Sequence, residues 1–268
     1  MVALIETPLI PPPGRKKGCH TRMTQYGRCR FARAEDRIEI VHENEIEELI
    51  AVGCGDWEHH VKTIFDQNGY GSCAMESTTQ SAQMKTSQEG GEFVLLNPLS
   101  GYAFTSGGRD NGSNIDDNLE HLIDVGLLPE EVWPRSKGFK TKPPQSLLDS
   151  IACRFRLQEA LDAASIAEVR SLLLKVGPVV FGWQGHSCLL TKILDKSWAR
   201  YANSWGDWGE AGGQLPHGFG TIRFSSINFG YGAWAPTAMV ETGDWRAEVL
   251  RLGYPLYDAL GNVIGQGA

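Results

Sequence analysis

Residues 201–210 read Tyr-Ala-Asn-Ser-Trp-Gly-Asp-Trp-Gly-Glu, an uncommon arrangement in which two tryptophans and two glycines follow one asparagine. The side-chain oxygen of Asn203 can accept the Nδ1 proton of an imidazole, and this hydrogen bond fixes the tautomer of the ring. The ring of Trp205 can shield the same bond from water and so strengthen it. The alternative for this stretch is a tryptophan-rich β-turn without a functional role.

A histidine that Asn203 could hold lies 17 residues earlier, where residues 182–188 read Gly-Trp-Gln-Gly-His-Ser-Cys. Taken alone, His186 is more simply explained as a hydrogen-bonded structural residue between two strand-like runs. The asparagine motif that follows favours a general base instead, because catalytic imidazoles need a partner that orients them.

A cysteine follows a glycine-rich turn at residues 66–73, which read Asp-Gln-Asn-Gly-Tyr-Gly-Ser-Cys. Residues 74–87 contain no proline or glycine, and this predicts a helix that begins beside Cys73. A thiol at the start of a helix lies at the positive end of the helix dipole, which lowers its pKa and favours the reactive thiolate. A buried and inert cysteine is the alternative.

Together and in this order, the three motifs resemble those of the papain family of cysteine peptidases, which includes the cathepsins. The match rests on Gln67 six residues before Cys73, on His186 after the Gly-Pro-Val of residues 177–179, and on residues 203–210. The resemblance covers about residues 56–242, with weaker similarity at Asp56-Trp57, at Asn111-Gly112 and over residues 126–134.

The resemblance implies a role for each matched residue. Cys73 would be the nucleophile, held as a thiolate by an imidazolium at His186, and Asn203 would orient His186. Gln67 would contribute its side-chain amide to the oxyanion hole, beside the backbone N–H of Cys73. The substrate-binding positions would be Gly71, Ser72, Gly112, Gly185 and Trp205, the last of which would also cover the His–Asn contact. The implied reaction is hydrolysis of a peptide bond through a thioester, without a metal or another cofactor.

The sequence departs from the family pattern near the nucleophile. Tyr70 stands where the family usually has a cysteine, so one structural disulfide is missing, and Ala74 stands where an aromatic residue is usual. The predicted helix after Cys73 is unusually polar, with Ser-Thr-Thr-Gln-Ser at residues 77–81. The separation of 113 residues between Cys73 and His186 is also short for the family, which indicates trimmed loops.

The pattern of elements predicts an α+β protein. Helical periodicity dominates to about residue 170, notably over residues 115–128 and 165–176. After Pro178 the pattern changes to strands, at residues 179–183, 188–194, 200–203, 220–224 and 234–240. With the resemblance, this predicts a papain-like fold of two lobes, a helical lobe at about 56–170 and an antiparallel, β-barrel-like lobe at about 171–242, with the active site in the cleft between them.

Two segments lie outside the predicted peptidase domain of residues 56–242. Residues 1–55 form an arm in which a basic stretch, residues 15–37, precedes an acidic one. A solvated arm is the simpler interpretation. The other is an arm that docks on a partner or on the acidic body of the protein, and one hypothesis is that it occupies the cleft as a short inhibitory segment. Residues 243–268 form an appendage, in which residues 258–265 suit a small hairpin.

Composition limits the partners. The 268 residues include 25 basic and 32 acidic ones, and the net charge of −7 disfavours nucleic acid as the main partner. No run approaches the roughly 18 apolar residues that span a membrane, and residues 1–19 lack the pattern of a secretory signal. The six cysteines are widely spread, which favours a reducing compartment. We therefore expect a cytoplasmic or virion-associated protein whose partner is a peptide or protein substrate.

The sequence also offers three other interpretations. Gly69, Gly71 and Ala74 fit a dinucleotide-binding turn, but no strand pattern leads into it. Zinc binding by Cys19-His20 with Cys29, or by His59-His60, matches no standard spacing. The main competitor is a papain-like fold retained as a non-catalytic structural or binding module, docked to a larger assembly such as a phage particle through residues 1–55 or 243–268.

Overall fold

The structure is a computed structural model that describes residues 4–22, 31–240 and 243–266. The α-helices of these residues are α1 (Ala34–Arg37), α2 (Ile46–Ala51), α3 (Cys73–Gln88), α4 (Pro98–Thr105), α5 (Ile115–Asp124), α6 (Gln145–Ser150), α7 (Ile166–Lys175) and α8 (Trp245–Arg251). The strands are β1 (Ala32–Arg33), β2 (Leu157–Asp162), β3 (Val179–Trp183), β4 (His186–Ile193), β5 (Trp198–Ala202), β6 (Glu210–Gly212), β7 (Leu215–Arg223), β8 (Ala233–Met239), β9 (Leu256–Tyr257) and β10 (Val263–Gly265).

Eight of these strands form one sheet in the order β1-β2-β8-β3-β4-β5-β7-β6. The short strand β1 pairs with β2 in parallel, and the other neighbouring strands pair antiparallel. Strands β9 and β10 form a separate antiparallel hairpin. The structure therefore combines a helical part with a large antiparallel sheet, as the sequence pattern predicted.

Apolar side chains cover both faces of the sheet. Along β3, Val180 belongs to the core that α3, α4 and α5 share, while Val179 and Phe181 belong to the core on the other face, with α7. This alternation follows from the two-residue repeat of a strand. The cleft that holds the candidate site lies where α3 packs against β4.

Helix α3 is almost entirely buried although it is polar, with Cys73 to Lys85 shielded from solvent. Several of its hydroxyls bond to backbone carbonyls one turn earlier on the same helix; Thr79 Oγ1, for example, donates to the Met75 carbonyl at 2.7 Å. Others reach neighbouring elements, such as Ser77 Oγ, which lies 2.6 Å from Ser187 Oγ. Buried polar groups cost little when they are hydrogen-bonded, which explains how a polar helix can occupy the centre of this fold.

Most predicted elements lie within a few residues of the observed ones. The helix predicted over residues 74–87 is α3, and the strand predicted over residues 179–183 coincides with β3. The strand β2 was missed, because it lies in a stretch where the pattern indicated helices and its pairing with β8 is a long-range contact. The appendage contains helix α8 besides the predicted hairpin. In the described parts of the chain, no helix is both long enough and apolar enough to cross a bilayer.

Candidate active site

Cys73 is the first residue of α3 and is fully buried. Burial raises the pKa of its thiol, and the backbone N–H groups of Ser187, Gly18 and Ala74, which lie close to the thiol, oppose this rise. One of these donors belongs to β4, in the opposite wall of the cleft, and is the residue that follows His186. The thiol therefore lies against the strand that carries the candidate base.

His186 begins β4 and is also fully buried. Its Nε2 lies 2.7 Å from Asn203 Oδ1, and its ring stacks on Trp205 with a centroid separation of 4.3 Å and an interplanar angle of 26°. Asn203 Oδ1 also accepts the backbone N–H of Ser204 at 2.7 Å, which holds the amide in place. The prediction that Nδ1 faces the asparagine is wrong, because the ring presents Nε2.

Nδ1 of His186 is therefore the nitrogen left for other chemistry. It is buried, and among the residues that the structure describes it has no hydrogen-bond partner. An imidazole whose Nε2 donates to an amide oxygen keeps its lone pair on Nδ1, where it can accept a proton. The arrangement thus offers a base nitrogen on the wall that faces Cys73.

Gln67 lies in the loop before α3 and is tied to the asparagine motif. Its Oε1 accepts the hydroxyl of Ser204 at 2.8 Å, and its backbone N–H donates to the Ser204 carbonyl at 3.0 Å. The guanidinium of Arg135 donates to the Asp66 carbonyl at 3.0 Å and to buried Glu76 at 2.7 Å. The Ser204 hydroxyl on Oε1 therefore orients the Gln67 amide, whose Nε2 donates to the Tyr70 carbonyl and can donate to a second carbonyl oxygen.

That position is occupied by the N-terminal arm. Residues 15–20, here called the cleft segment, run between the two walls of the cleft. The Lys16 carbonyl accepts Gln67 Nε2 at 3.0 Å and Trp205 Nε1 at 3.3 Å. Farther along, the N–H of Cys19 donates to the Gly185 carbonyl at 2.9 Å, and the N–H of Ser113 donates to the Gly18 carbonyl at 3.0 Å.

The cleft segment also fits sterically and electrostatically. A Cβ at Gly18 would lie only 2.6 Å from Gly71 Cα, so only glycine passes this point without a shift. Ion pairs flank it: Arg15 pairs with Asp66, and Lys16 Nζ lies 2.7 Å from Asp110 Oδ2. These ion pairs agree with the second interpretation of the basic arm, in which the arm docks on the acidic body of the protein.

The cleft segment lies over the Cys73 thiol. The backbone N–H of Gly18 acts on the thiol and opposes the rise in its pKa that burial causes. The segment also pairs in parallel with Ser113, through Cys19. It therefore covers the thiol, and its Lys16 carbonyl fills the position beside Gln67 Nε2.

Burial controls the protonation of both groups. It raises the pKa of the Cys73 thiol to about 11, despite the three N–H donors, and the charge of Glu76 adds to the rise. Burial lowers the pKa of His186 to about 4, the Asn203 hydrogen bond opposes this, and the charge of Lys17 contributes to the fall. Burial therefore favours the neutral form of both groups while the cleft segment is in place, and it opposes the thiolate–imidazolium pair that the resemblance implies.

The remaining predicted residues, those expected to bind substrate, differ in their contacts. Gly112 and Gly71 lie against the backbone of Gly18, and the Gly185 carbonyl accepts the N–H of Cys19. Ser72 instead donates its hydroxyl to Glu76 at 3.1 Å, inside the helical lobe. Four of the predicted binding positions therefore meet in the cleft, namely Gly71, Gly112, Gly185 and Trp205, and Ser72 has a structural contact.

Sequence reasoning did not single out three serines, and its hypothesis that the arm occupies the cleft did not identify residues 15–20 as the part that does so. Ser113 and Ser187 offer backbone groups, and Ser204 orients Gln67 through its hydroxyl. Backbone donors carry no residue signature, so no motif could have revealed the first two. The basic run at residues 15–17 was a signal for the cleft segment, because it precedes an acidic body.

The structure also bears on the two alternative ligands, a metal ion and a dinucleotide. No group of three or more His, Cys, Asp or Glu side chains is placed to hold a metal ion in the described residues, and Cys29 lies outside them. The glycines before α3 follow a loop, since no strand occurs between residues 34 and 156, all of which are described. A dinucleotide-binding turn requires such a strand.

Comparison with known proteins gives structural matches only. No family model and no curated protein sequence matches the chain. Among solved structures, xylellain, a cysteine protease from Xylella fastidiosa, is similar with a TM-score of 0.60 and 18% identity, over 84% of this chain and 97% of the other.

Two digestive procathepsins from the larval midgut of Tenebrio molitor are also similar. Procathepsin L2 matches with a TM-score of 0.59 and 13% identity, over 84% of this chain and 78% of the other. Procathepsin L 3 matches with a TM-score of 0.55 and 16% identity, over 78% of this chain and 73% of the other. These likenesses confirm, at the level of the fold, the resemblance predicted from the motifs: the chain has the fold of the papain-like cysteine proteases.

Proposed function

We propose that the chain is a cysteine-type peptidase, with Cys73 as nucleophile, His186 as base and Asn203 as the residue that positions the base. The observation that carries the proposal is the cleft segment itself. The cleft between Cys73 and His186 holds the main chain of the cleft segment by hydrogen bonds with the Gln67 side chain and with the backbones of Gly185 and Ser113. A cleft that binds a main chain in this way suits peptide substrates of varied sequence.

The reaction would begin when the cleft segment leaves and a substrate carbonyl takes the position of the Lys16 carbonyl, near Gln67 Nε2. Release of the segment would remove the Gly18 N–H from Cys73 Sγ and admit solvent, which favours charged forms of both groups. Nδ1 of His186 would take the thiol proton, and the thiolate would attack the carbonyl carbon. The oxyanion would be stabilised by the Gln67 amide and the backbone N–H of Cys73.

Breakdown of the adduct would follow ordinary acyl transfer. His186 would give the proton to the leaving amine, the C–N bond would break, and a thioester would remain on Cys73. Water, activated by His186, would then hydrolyse the thioester and release the acid. An amine in place of this water would use the same residues and yield a transfer product.

The test is covalent labelling with a thiol-directed irreversible peptidase inhibitor. We expect selective labelling of Cys73 that is lost in Cys73→Ala and greatly slowed in His186→Ala. Cys188→Ala, at another buried cysteine, and His42→Ala, at an exposed histidine, are the matched controls and should label as the wild type does. Hydrolysis of a fluorescent casein should follow the same pattern.

The inhibitor must reach a covered thiol, so the comparison is repeated in a Gly18→Val background that disfavours docking of the cleft segment. Slow and uniform labelling of several cysteines in both backgrounds, without casein hydrolysis, would refute the peptidase. That result would favour the non-catalytic module, for which the full burial of Cys73 is the specific supporting observation.

A further inference from the structure

One carboxylate beside the cleft binds a basic side chain of the cleft segment and has no part in the proposed reaction. This carboxylate belongs to Asp110, which lies in the loop between α4 and α5. Its Oδ2 accepts a hydrogen bond from Lys16 Nζ at 2.7 Å. The steps of the proposed reaction need only the thiol, the base and the oxyanion donors, so the role of this acidic side chain is open.

Asp110 is held in place by the helical lobe. Its Oδ1 accepts the backbone N–H of Gly71 at 2.7 Å and the hydroxyl of Tyr102 at 3.2 Å. The Tyr102 oxygen in turn accepts the backbone N–H of Gly112 at 3.0 Å. Both glycines lie against the backbone of Gly18 in the cleft. One carboxylate oxygen is therefore fixed to the wall of the cleft, and the other binds the ammonium group.

The environment of Asp110 favours a charged carboxylate. Burial alone would raise its pKa, but its hydrogen-bond donors, the Gly71 N–H first and then the Lys16 ammonium, outweigh burial and lower the pKa. The side chain is 23% exposed, so water only partly screens a cation that binds there. A fixed and ionised carboxylate of this kind recognises lysine or arginine by a charge-assisted hydrogen bond.

Lys16 connects this carboxylate to the oxyanion donors. Its carbonyl oxygen accepts Gln67 Nε2 at 3.0 Å, while its own ammonium group binds Asp110. In the proposed reaction, the substrate carbonyl that is attacked takes the position of the Lys16 carbonyl. A substrate residue that supplies this carbonyl can therefore reach Asp110 with a side chain as long as that of lysine.

The backbone contacts of the cleft do not distinguish one side chain from another. The Gly18 carbonyl accepts the N–H of Ser113, and the N–H of Cys19 donates to the Gly185 carbonyl. Such bonds form with a peptide of almost any sequence. The carboxylate of Asp110 does distinguish side chains, because an apolar one leaves it without a cation and an acidic one adds repulsion.

We propose that Asp110 is a specificity-determining residue, and that it selects peptides with lysine or arginine at the residue whose carbonyl Gln67 binds. For cleavage, the inference rests on the proposed function, and it names the substrate class: peptides cut after a basic residue. For binding alone, it needs only the cleft and its carboxylate. The Lys16 of the cleft segment is the example of such a residue that the structure contains.

Binding can be measured without any cleavage. Full-length protein carries Gly18→Val, to lift the cleft segment, and Cys73→Ala, to prevent reaction. The binding of fluorescent peptides to this double variant is followed by fluorescence anisotropy. Any cleft segment that still docks competes equally with each peptide, so it scales both apparent dissociation constants by the same factor and leaves their ratio unchanged.

The two peptides differ at one side chain. Both contain residues 13–20, with Arg15→Ala and Lys17→Ala so that the peptide cannot shift to another basic residue, and with Cys19→Ser to prevent oxidation. One keeps Lys16, and the other has norleucine there, which has the same carbon chain without the charge. We expect the lysine peptide to bind about three- to tenfold more tightly, as for an ion pair with a partly exposed carboxylate.

Asp110→Asn and Asp36→Asn, each added to the double variant, form the matched pair. Asparagine at 110 keeps an oxygen that can accept the Gly71 N–H and removes only the charge, so the two peptides should bind equally well. Asp36 is an exposed residue of α1, and its variant should keep the full preference. Asp110→Glu, which keeps the charge, should still prefer lysine. A preference that survives in Asp110→Asn would overturn the proposal, and so would equal binding, or no binding, of the two peptides before Asp110 is changed.

Cleavage is measured with the same peptides, flanked by a fluorophore and a quencher, in the Gly18→Val chain with Cys73 intact. If the chain is a peptidase, kcat/KM should be about three- to tenfold higher for the lysine peptide, and Asp110→Asn should abolish the difference. A binding preference that depends on Asp110, without cleavage of either peptide, would refute the peptidase and support the recognition of basic peptides. Equal cleavage of the two peptides would support the peptidase and overturn the inference.

Discussion

The cleft segment and the C-terminal appendage are attached to the body in opposite ways. The cleft segment is held by backbone hydrogen bonds and by ion pairs such as Lys16–Asp110. The appendage, residues 243–266, is anchored by Trp245, which is 3% exposed and meets the Phe155 ring edge to face at 5.7 Å. Apolar burial of this kind is lost only on unfolding, whereas backbone hydrogen bonds can be exchanged for those of another peptide.

The difference indicates distinct roles for two segments that looked alike as candidates for docking. The appendage extends the helical lobe, where Arg246 also joins Glu131 at 2.9 Å and Glu92 at 3.2 Å. The cleft segment occupies the position that a bound peptide substrate would take under the proposed function. Docking of either segment to a larger assembly stays a prediction, as does the division of the chain at residues 55 and 242.

The largest effect should come from removing the apolar anchor of the appendage. We expect Trp245→Ala to lower the free energy of unfolding by about 3–5 kcal/mol, because it deletes a buried aromatic side chain. Urea unfolding measures this, with Leu260→Ala, at an exposed position of the same appendage, as the control that should change little. The alkylation rate of Cys73 in native buffer should not change, and a large increase would mean that the appendage also guards the cleft.

Gly18→Val should have a smaller effect on stability but a large effect on how readily reagents reach the Cys73 thiol. The new side chain would overlap the Gly71 backbone, at a cost typical of overpacking, about 1–3 kcal/mol, so the cleft segment should lift. We expect iodoacetamide to alkylate Cys73 about ten- to a hundredfold faster, since each 1.4 kcal/mol is about a factor of ten. Thr21→Val, at an exposed position of the same arm, is the control. Equal rates in the two variants would show that the segment does not cover the thiol.

The pH dependence of the same alkylation sharpens the comparison. In the wild type the pKa of Cys73 is raised to about 11 by burial, so the thiolate fraction and the rate should rise until about pH 11. In Gly18→Val the thiol is less buried and lies beside the imidazole, so its pKa falls and the rate should level off at a lower pH. The plateau pH of Trp245→Ala should match that of the wild type. A shared plateau for wild type and Gly18→Val would contradict the role assigned to burial.

The smallest effect should come from the flanking ion pair. Lys16 is 55% exposed, so its pair with Asp110 is partly screened, and Lys16→Ala should raise the alkylation rate of Cys73 by less than about fivefold. The difference from the wild type should shrink as salt is added. Lys140→Ala, at an exposed lysine elsewhere, should have no effect. A difference that persists in high salt would show that the Lys16 side chain acts through its packing and not through its charge.

The residue types of the candidate site could be read from the sequence because each has a local signature. Cys73 begins a helix, His186 begins a strand after Pro178, and Asn203 follows another strand, so a glycine-rich turn and a change of period indicated these elements, while the roles of the residues came from the resemblance to the papain family. The sequence could not show that Nε2 of His186, and not Nδ1, faces Asn203, since this depends on how β4 lies relative to the loop after β5. The polar sequence of α3 was similarly ambiguous until its partners were known.

The motifs alone were sufficient to predict the fold class, the order of the lobes and the candidate nucleophile, base and amides. They could not establish that residues 15–20 pass over Cys73, or that burial in this position favours the neutral forms of Cys73 and His186. Those features depend on contacts between distant parts of the chain, such as the bond from Trp205 to the Lys16 carbonyl across 189 residues. Local periodicity carries no record of such contacts, because they arise from the packing of elements after each has formed.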